Sequence, residues 1–235
     1  MIVLFASFVR AVSGFGLALI VAPLLTFIME TKRAIALTVI IAGISNIFVL
    51  LRTWRYIDLR RAALTCLGAA FGIPFGTYLL SILSSTIILL AMASIAIPLA
   101  ILLMLGFSYR FARDSLGCVL TGFLGSTLAV TTSMGGPPVV LFLLNQNLVT
   151  KKLVGTCSLI FMFMYLATFI AHTSLDLIST EVLVQAVILV PALWLGTYSG
   201  IKVLPKIKPV LFKRIVAGVV MASAIAIILN IATSI

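Results

Sequence analysis

Between residues 115 and 150 the chain carries 36 consecutive residues without a charged side chain. As one straight helix this stretch would run roughly 54 Å at 1.5 Å per residue, far more than a hydrocarbon core of about 30 Å. It cannot be one helix, because Ser133-Met134-Gly135-Gly136-Pro137-Pro138 interrupts it. The glycines lower helix propensity and the proline pair ends whatever precedes it. Proline is favoured in the first turn of a helix, so a new one is expected to begin around Val139. An earlier apolar stretch has the same form: Ser13-Gly14-Phe15-Gly16 precedes Leu17 to Leu25, with Pro23 inside the run. Paired interrupted segments in matching halves of a membrane protein point to a secondary-transporter binding site.

Six further runs approach the roughly 20 apolar residues that cross a bilayer: Ala34–Leu51, Ala62–Leu83, Thr86–Gly106, Leu153–Ala171, Val182–Ile201 and Ile215–Thr233. The chain is 63% hydrophobic and 9% charged, against about 25% charged in soluble domains. Lipid must be its solvent, and the expected fold is an all-α polytopic membrane protein of about eight hydrophobic segments. Sixteen Lys and Arg against five Asp and Glu give +11. These cations sit almost entirely in short loops, where they set orientation rather than bind nucleic acid. Cys66, Cys118 and Cys157 lie in apolar runs with no CxxC pair, so neither a disulfide framework, a metal site nor a cofactor is expected. No basic region precedes the first apolar run, so a cleaved signal peptide is not expected.

Short matches recur at nearly one offset. Thr31-Lys32 matches Thr150-Lys151, Asp58-Leu59 matches Asp176-Leu177, and Gly76-Thr77-Tyr78 matches Gly196-Thr197-Tyr198. They divide the chain into two repeats, 1–112 and 113–235. Matching loops carry opposite charge character. Arg52, Arg55, Arg60 and Arg61 correspond to a loop with His172, Asp176 and Glu181, whereas uncharged residues 81–85 correspond to Lys202, Lys206, Lys208, Lys213 and Arg214. The positive-inside rule then orients the halves oppositely. If residues 115–150 form a hairpin, Arg110, Arg113, Lys151 and Lys152 join both basic loops on the cytoplasmic side, which holds 13 of the 16 basic residues. A single crossing would leave the basic residues split between the two faces.

A helix starting inside the membrane aims free N–H groups and a positive dipole end at its start, which suits an anion. Thr131, Thr132 and Ser133 stand before the second restart with hydroxyls to donate, and Gly135, Gly136 and Pro137 shape it. Ser13, Gly14 and Gly16 form the first break, and the two breaks are expected to meet near the bilayer midplane. Arg10 is the only charge deep in an apolar segment, and such residues are costly enough to default to function. Asn46 either faces the cavity or bonds a neighbouring helix. All five acids lie at segment ends or in loops, so a cationic substrate is disfavoured. A co-transported proton would ride on the substrate. His172 is expected to be an exposed loop histidine, with proton handling as its alternative role, Asn145 and Gln146 to cap the hairpin at the surface, and Trp54, Tyr56, Tyr109 and Trp194 to anchor at the interface. The lone histidine is far in sequence from Ser13 and Ser133, which argues against an intramembrane serine protease.

Arg10 to Pro23, with Ser-Gly-Phe-Gly and the following Pro-Leu-Leu, resembles the first signature of the TauE/SafE sulfite-exporter family. Gly122 to Leu143, with Met-Gly-Gly-Pro-Pro-Val-Val, resembles the second. Many members carry three successive glycines in the first repeat, where this chain has Gly16-Leu17-Ala18. The resemblance implies a multi-pass permease of the bacterial inner membrane that moves sulfite, sulfonates or related organic anions. The alternative is an anion channel or an accessory membrane subunit.

Overall fold

The computed structural model describes residues 1–13, 16–105, 114–146 and 148–203, with four isolated helical positions beyond. These residues form nine α-helices and no strand: α1 Ile2–Ser13, α2 Leu17–Leu25, α3 Thr31–Thr53, α4 Leu59–Ile82, α5 Ser85–Leu105, α6 Asp114–Thr132, α7 Gly136–Leu144, α8 Thr150–Ser174 and α9 Thr180–Val203. A single 3-10 turn, Trp54–Tyr56, joins α3 to α4. Helices α3, α4, α6, α8 and α9 are long and apolar enough to cross a membrane. Five of the six expected spans fall on α3, α4, α5, α8 and α9. The sixth, Ile215–Thr233, lies outside the described residues apart from the isolated positions. Prolines 23, 74, 98 and 191 sit inside helices, a placement membrane helices tolerate because neighbours re-satisfy the freed carbonyls.

Hydroxyl side chains in the interior bond back to their own helix or reach the next. Thr121 donates to the Gly117 carbonyl, while Ser126 and Thr127 donate across to Ala69 and Gly72 of α4. This last pair belongs to the most extensive contact among the described helices, α4 on α6. The two helices run parallel: Gly68 faces Val119, Gly72 faces Phe123 and Gly76 faces Thr127. A methyl at Gly68 would sit inside the Val119 carbonyl, and one at Gly122 inside that of Thr65. Small residues let the backbones approach this closely, which is how membrane helices gain packing without a hydrophobic drive. Helix α1 packs comparably on α9, where Gly196 lies against Leu4 and Ser7. Helices α3 and α8 run antiparallel, with Gly43 beside Tyr165, Asn46 beside Ser158 and Thr53 beside Gly155.

One ionic cluster gathers the starts of α4, α6 and α8. Arg61 bridges Asp58 at 2.9 Å and Asp114 at 3.0 Å, and Lys152 reaches Asp58 at 3.1 Å. Burial works to raise the Asp58 carboxyl, but Lys152, the Arg61 backbone N–H and both cationic charges outweigh it and hold it below the ordinary carboxylate range. The cluster brings both ends of the uncharged stretch to one face. Between them α7 folds back along α6, with Phe142 beside Gly117 and Val139 beside Gly125. The expected hairpin is therefore the observed arrangement. Its arms are unequal: 19 residues of α6 reach about 28 Å and nine of α7 about 14 Å. In a background lacking native cysteines, Arg110→Cys, Lys151→Cys and Arg55→Cys should react with an impermeant thiol reagent from one face. Arg33→Cys should react from the other. Labelling of positions 110 and 151 from opposite faces would refute the hairpin.

Candidate functional site

Both breaks contribute to one cavity. Gly16, Ala18 and Leu19 line it from the first, Ser133, Met134, Gly136 and Pro137 from the second, and Phe161 and Tyr165 from the middle of α8. Arg10, near the end of α1, completes the lining. The space measures about 20 Å³ at the centres of water-sized spheres, room for roughly one water. An organic anion would need the helices to part.

The backbone turns sharply at each break. Gly16 takes φ 103° and begins α2 from the left-handed region, which costs glycine little. Ser133 takes φ 60° without that freedom. Such a conformation costs about 1–3 kcal/mol and persists only when neighbours hold it. Its Oγ donates to the Ile35 carbonyl at 2.9 Å, tying the break to the first turns of α3. The break therefore lies beyond the midplane, toward the face opposite the ionic cluster. Helix α6 contains nothing to stop it before Ser133, so it spans almost the whole depth alone.

The hydroxyls expected to meet a ligand are already used. Thr131 and Thr132 donate back to Thr127 and Leu128 within α6, and Thr132 Oγ1 also accepts the Met134 N–H. Neither threonine lines the cavity, and Ser133 lines it with its hydroxyl committed to Ile35. Gly135 packs against Gly125 and Ala129 of α6 and so shapes the hairpin, whereas Gly136 faces Phe161. Ser13 ends α1; its side chain, and all of Gly14, lie outside the described residues.

Backbone donors are distributed unevenly. The first intrahelical bond of α2 runs from Ile20 N–H to the Gly16 carbonyl, so by position the N–H groups of Leu17, Ala18 and Leu19 point free from its start. Helix α7 opens Gly136-Pro137-Pro138, and the prolines have no N–H to offer. The first break is thus the richer donor, the reverse of what the Gly-Gly-Pro-Pro sequence suggested.

Arg10 is only 3% exposed. Nη1 donates to the Ala42 carbonyl at 3.1 Å and Nη2 to Asn46 Oδ1 at 2.8 Å, while Nε has no partner. Tyr165 lines the same cavity as this guanidinium. Asn46 Nδ2 in turn donates to the Ser158 carbonyl at 2.8 Å. Asn46 thus lies behind Arg10 and holds it against the cavity without lining it. Among the described residues no carboxylate comes within ion-pair distance of Arg10: Asp58 and Asp114 serve Arg61 and Lys152, and Glu30 and Glu181 serve Arg33.

Phe161 and Tyr165 were not singled out in the sequence. Tyr165 carried a usable signal, since a tyrosine in mid-span is far from the interface where tyrosines ordinarily sit. His172 is a correction: it is fully buried inside α8, with Nε2 at 2.9 Å from the Val130 carbonyl. The uninterrupted apolar run ends at Ala171, but α8 continues to Ser174 and packs on α6. Gln146 lies half-buried in the turn that ends α7, where its backbone N–H caps the Leu143 carbonyl, and its Nε2 has no partner among the described residues. No group of acids, histidines and cysteines among the described residues could hold a metal ion.

No curated protein and no solved structure matches the chain. The family described as sulfite exporter TauE/SafE matches over residues 1–227. That match covers both breaks, Arg10 and every helix described above, and the chain belongs to the TauE/SafE sulfite-exporter family.

Proposed function

We propose that this protein is a secondary transporter of small sulfur-bearing anions, sulfite or sulfonates, and that it works in the bacterial inner membrane by alternating access around its two breaks. The observation that carries the proposal is Arg10, a buried guanidinium with no partner for its Nε and no carboxylate for its charge among the described residues, placed where both breaks meet. An unpaired buried charge costs several kcal/mol. A bound anion would offset that cost, aided by the N–H groups at the start of α2. Phe161, Leu19 and Met134 give the cavity apolar walls, against which a charge pair attracts more strongly than in water.

The proposal includes two inverted repeats, 1–112 and 113–235. Its support is the pattern of contacts. Each repeat's third long helix, α4 or α9, packs on the opening helix of the other, α6 or α1. The corresponding helices α3 and α8 meet antiparallel, as inversion requires. Thr31 and Thr150 each open one of that pair.

The test is thermal unfolding of the purified protein with sulfite, thiosulfate, sulfoacetate, taurine and carboxylate analogues. Sulfur oxyanions should stabilise it, by about 2.7 kcal/mol at one hundred times Kd. Stabilisation by carboxylates alone would remove sulfur from the proposal. Stabilisation by none of these anions would remove the anion site.

A further inference from the structure

His172 is the only histidine in the chain and is fully buried in the last turn of α8. The Val130 carbonyl can only accept, so the Nε2 beside it must carry a hydrogen. In the neutral ring this leaves Nδ1 with a free lone pair, and Nδ1 is buried without a partner among the described residues. One turn earlier, Thr168 is also fully buried, with its Oγ1 unpartnered. Elsewhere on α8, Thr156, Ser158 and Thr173 bond back to the carbonyl four residues before. Thr168 is the exception: it stands one helical turn before His172 on the same side of α8, with its Oγ1 unpartnered among the described residues. Tyr165, Thr168 and His172 recur at helical spacing along α8. They lead from the cavity roughly 10 Å toward the face opposite the ionic cluster. Val130 lies three residues before Ser133, so His172 grips α6 just below its break.

We infer that His172 is a proton-binding site of the transporter, accepting a proton on Nδ1 with Thr168 Oγ1 as the acceptor for the new N–H. This rests on the transport reading of the Arg10 cavity. The proton comes from water at the nearer face, occupies the Nδ1 lone pair and leaves by the same nitrogen. The Nε2–H bond to Val130 persists in both states. A cation formed here is favoured by an anion at Arg10, so anion and proton should bind with positive coupling, each raising the other's affinity.

Among the described residues no carboxylate pairs with His172. Helix α8 packs on α3, α4, α6, α7 and the 54–56 turn. Helix α6 is uncharged after Asp114, and α7 is uncharged throughout. Asp114, Arg52, Arg55, Arg60, Arg61, Lys151 and Lys152 stand at the opposite end of the fold, with Tyr56 and the buried thiols Cys118 and Cys157; Cys66 lies in the first half of α4. At the His172 end, α3 contributes Lys32 and Arg33, the latter exposed and paired with Glu30 and Glu181. Tyr78 of α4 is exposed. Asp176 follows α8 and is also exposed.

Because the chain holds one histidine, protein labelled with 15N-histidine and purified without a histidine tag gives one imidazole signal. In nanodiscs that signal should titrate reversibly between about pH 5 and 8. Its midpoint should rise when saturating sulfonate is added and fall in Thr168→Val. An imidazole that keeps the neutral Nε2–H form throughout this range would overturn the inference. The second readout is uptake of methanesulfonate, an anion ionised at every pH used, into proteoliposomes. Uptake should vary at least about fivefold across the range that protonates histidine, and His172→Gln should flatten the profile. Glutamine keeps an N–H for Val130, so the hairpin contact survives. A wild-type pH profile in that variant would also overturn the inference. If the unmodified protein takes up no sulfonate, the transport reading fails, and the nitrogen titration still decides whether His172 binds a proton.

Discussion

Arg10→Gln is expected to abolish stabilisation by anions and reduce uptake on the order of 100-fold, taking about 3 kcal/mol for a desolvated charge pair. The empty protein should unfold at the same temperature or higher. A buried cation without a counter-charge destabilises the fold that holds it, and glutamine keeps an N–H donor for Asn46 while removing the charge. A purely structural arginine behaves oppositely: its loss lowers the unfolding temperature and leaves the anion response intact. Asn46→Asp tests the same point from behind. It places a carboxylate where Asn46 Oδ1 now lies, 2.8 Å from Nη2. An internal counter-ion should occupy Arg10 and erase the anion response, although the Ser158 carbonyl then loses the Asn46 donor. Thermal unfolding with and without sulfite, measured on both variants, separates the outcomes. If both variants retain wild-type stabilisation, Arg10 is not the anion site.

Arg10 could be found in the sequence because a charge in an apolar run is conspicuous at any depth. The hairpin was legible for a similar reason: loop charges record which ends share a face, and the Arg61–Asp58–Asp114–Lys152 cluster joins the ends they assigned. The donors were not legible. A hydroxyl at Thr131 or Thr132 looks available on paper, but a helical threonine readily bonds the carbonyl one turn back, and both do so. Pro137 and Pro138 announce a helix start while removing its N–H groups, so the loudest motif marks the poorer donor. Phe161 and Tyr165 come from a different part of the chain and enter the cavity only through the antiparallel packing of α3 on α8. The burial of His172 likewise comes from α6, a neighbour that hydrophobic periodicity along α8 cannot reveal.

The two adjacent glycines of the second break should respond oppositely to one methyl group. At Gly135 a Cβ would enter the Gly125 carbonyl and lie 2.6 Å from the Ala129 Cβ and 3.0 Å from the Ala129 nitrogen. These are mostly backbone atoms of α6, which Gly72 and Gly76 of α4 press from another side, so they have little room to yield. Gly135→Ala should destabilise by about 3 kcal/mol, lowering the unfolding temperature by roughly 6–12 °C. At Gly136 the nearest atom to a Cβ is Phe161 Cζ at 3.6 Å, an ordinary contact. Gly136→Ala should fold with a change within about 1 kcal/mol. Gly136→Leu carries the contrast into function. Its side chain would project toward Phe161 and fill a cavity with room for about one water. Uptake should then be lost in a protein that still folds. Unfolding temperature and uptake, measured on all three variants, distinguish a glycine that lets two helices touch from one that leaves space for a ligand. Equal stability of Gly135→Ala and Gly136→Ala, or wild-type uptake by a folded Gly136→Leu, would contradict the division of roles between them.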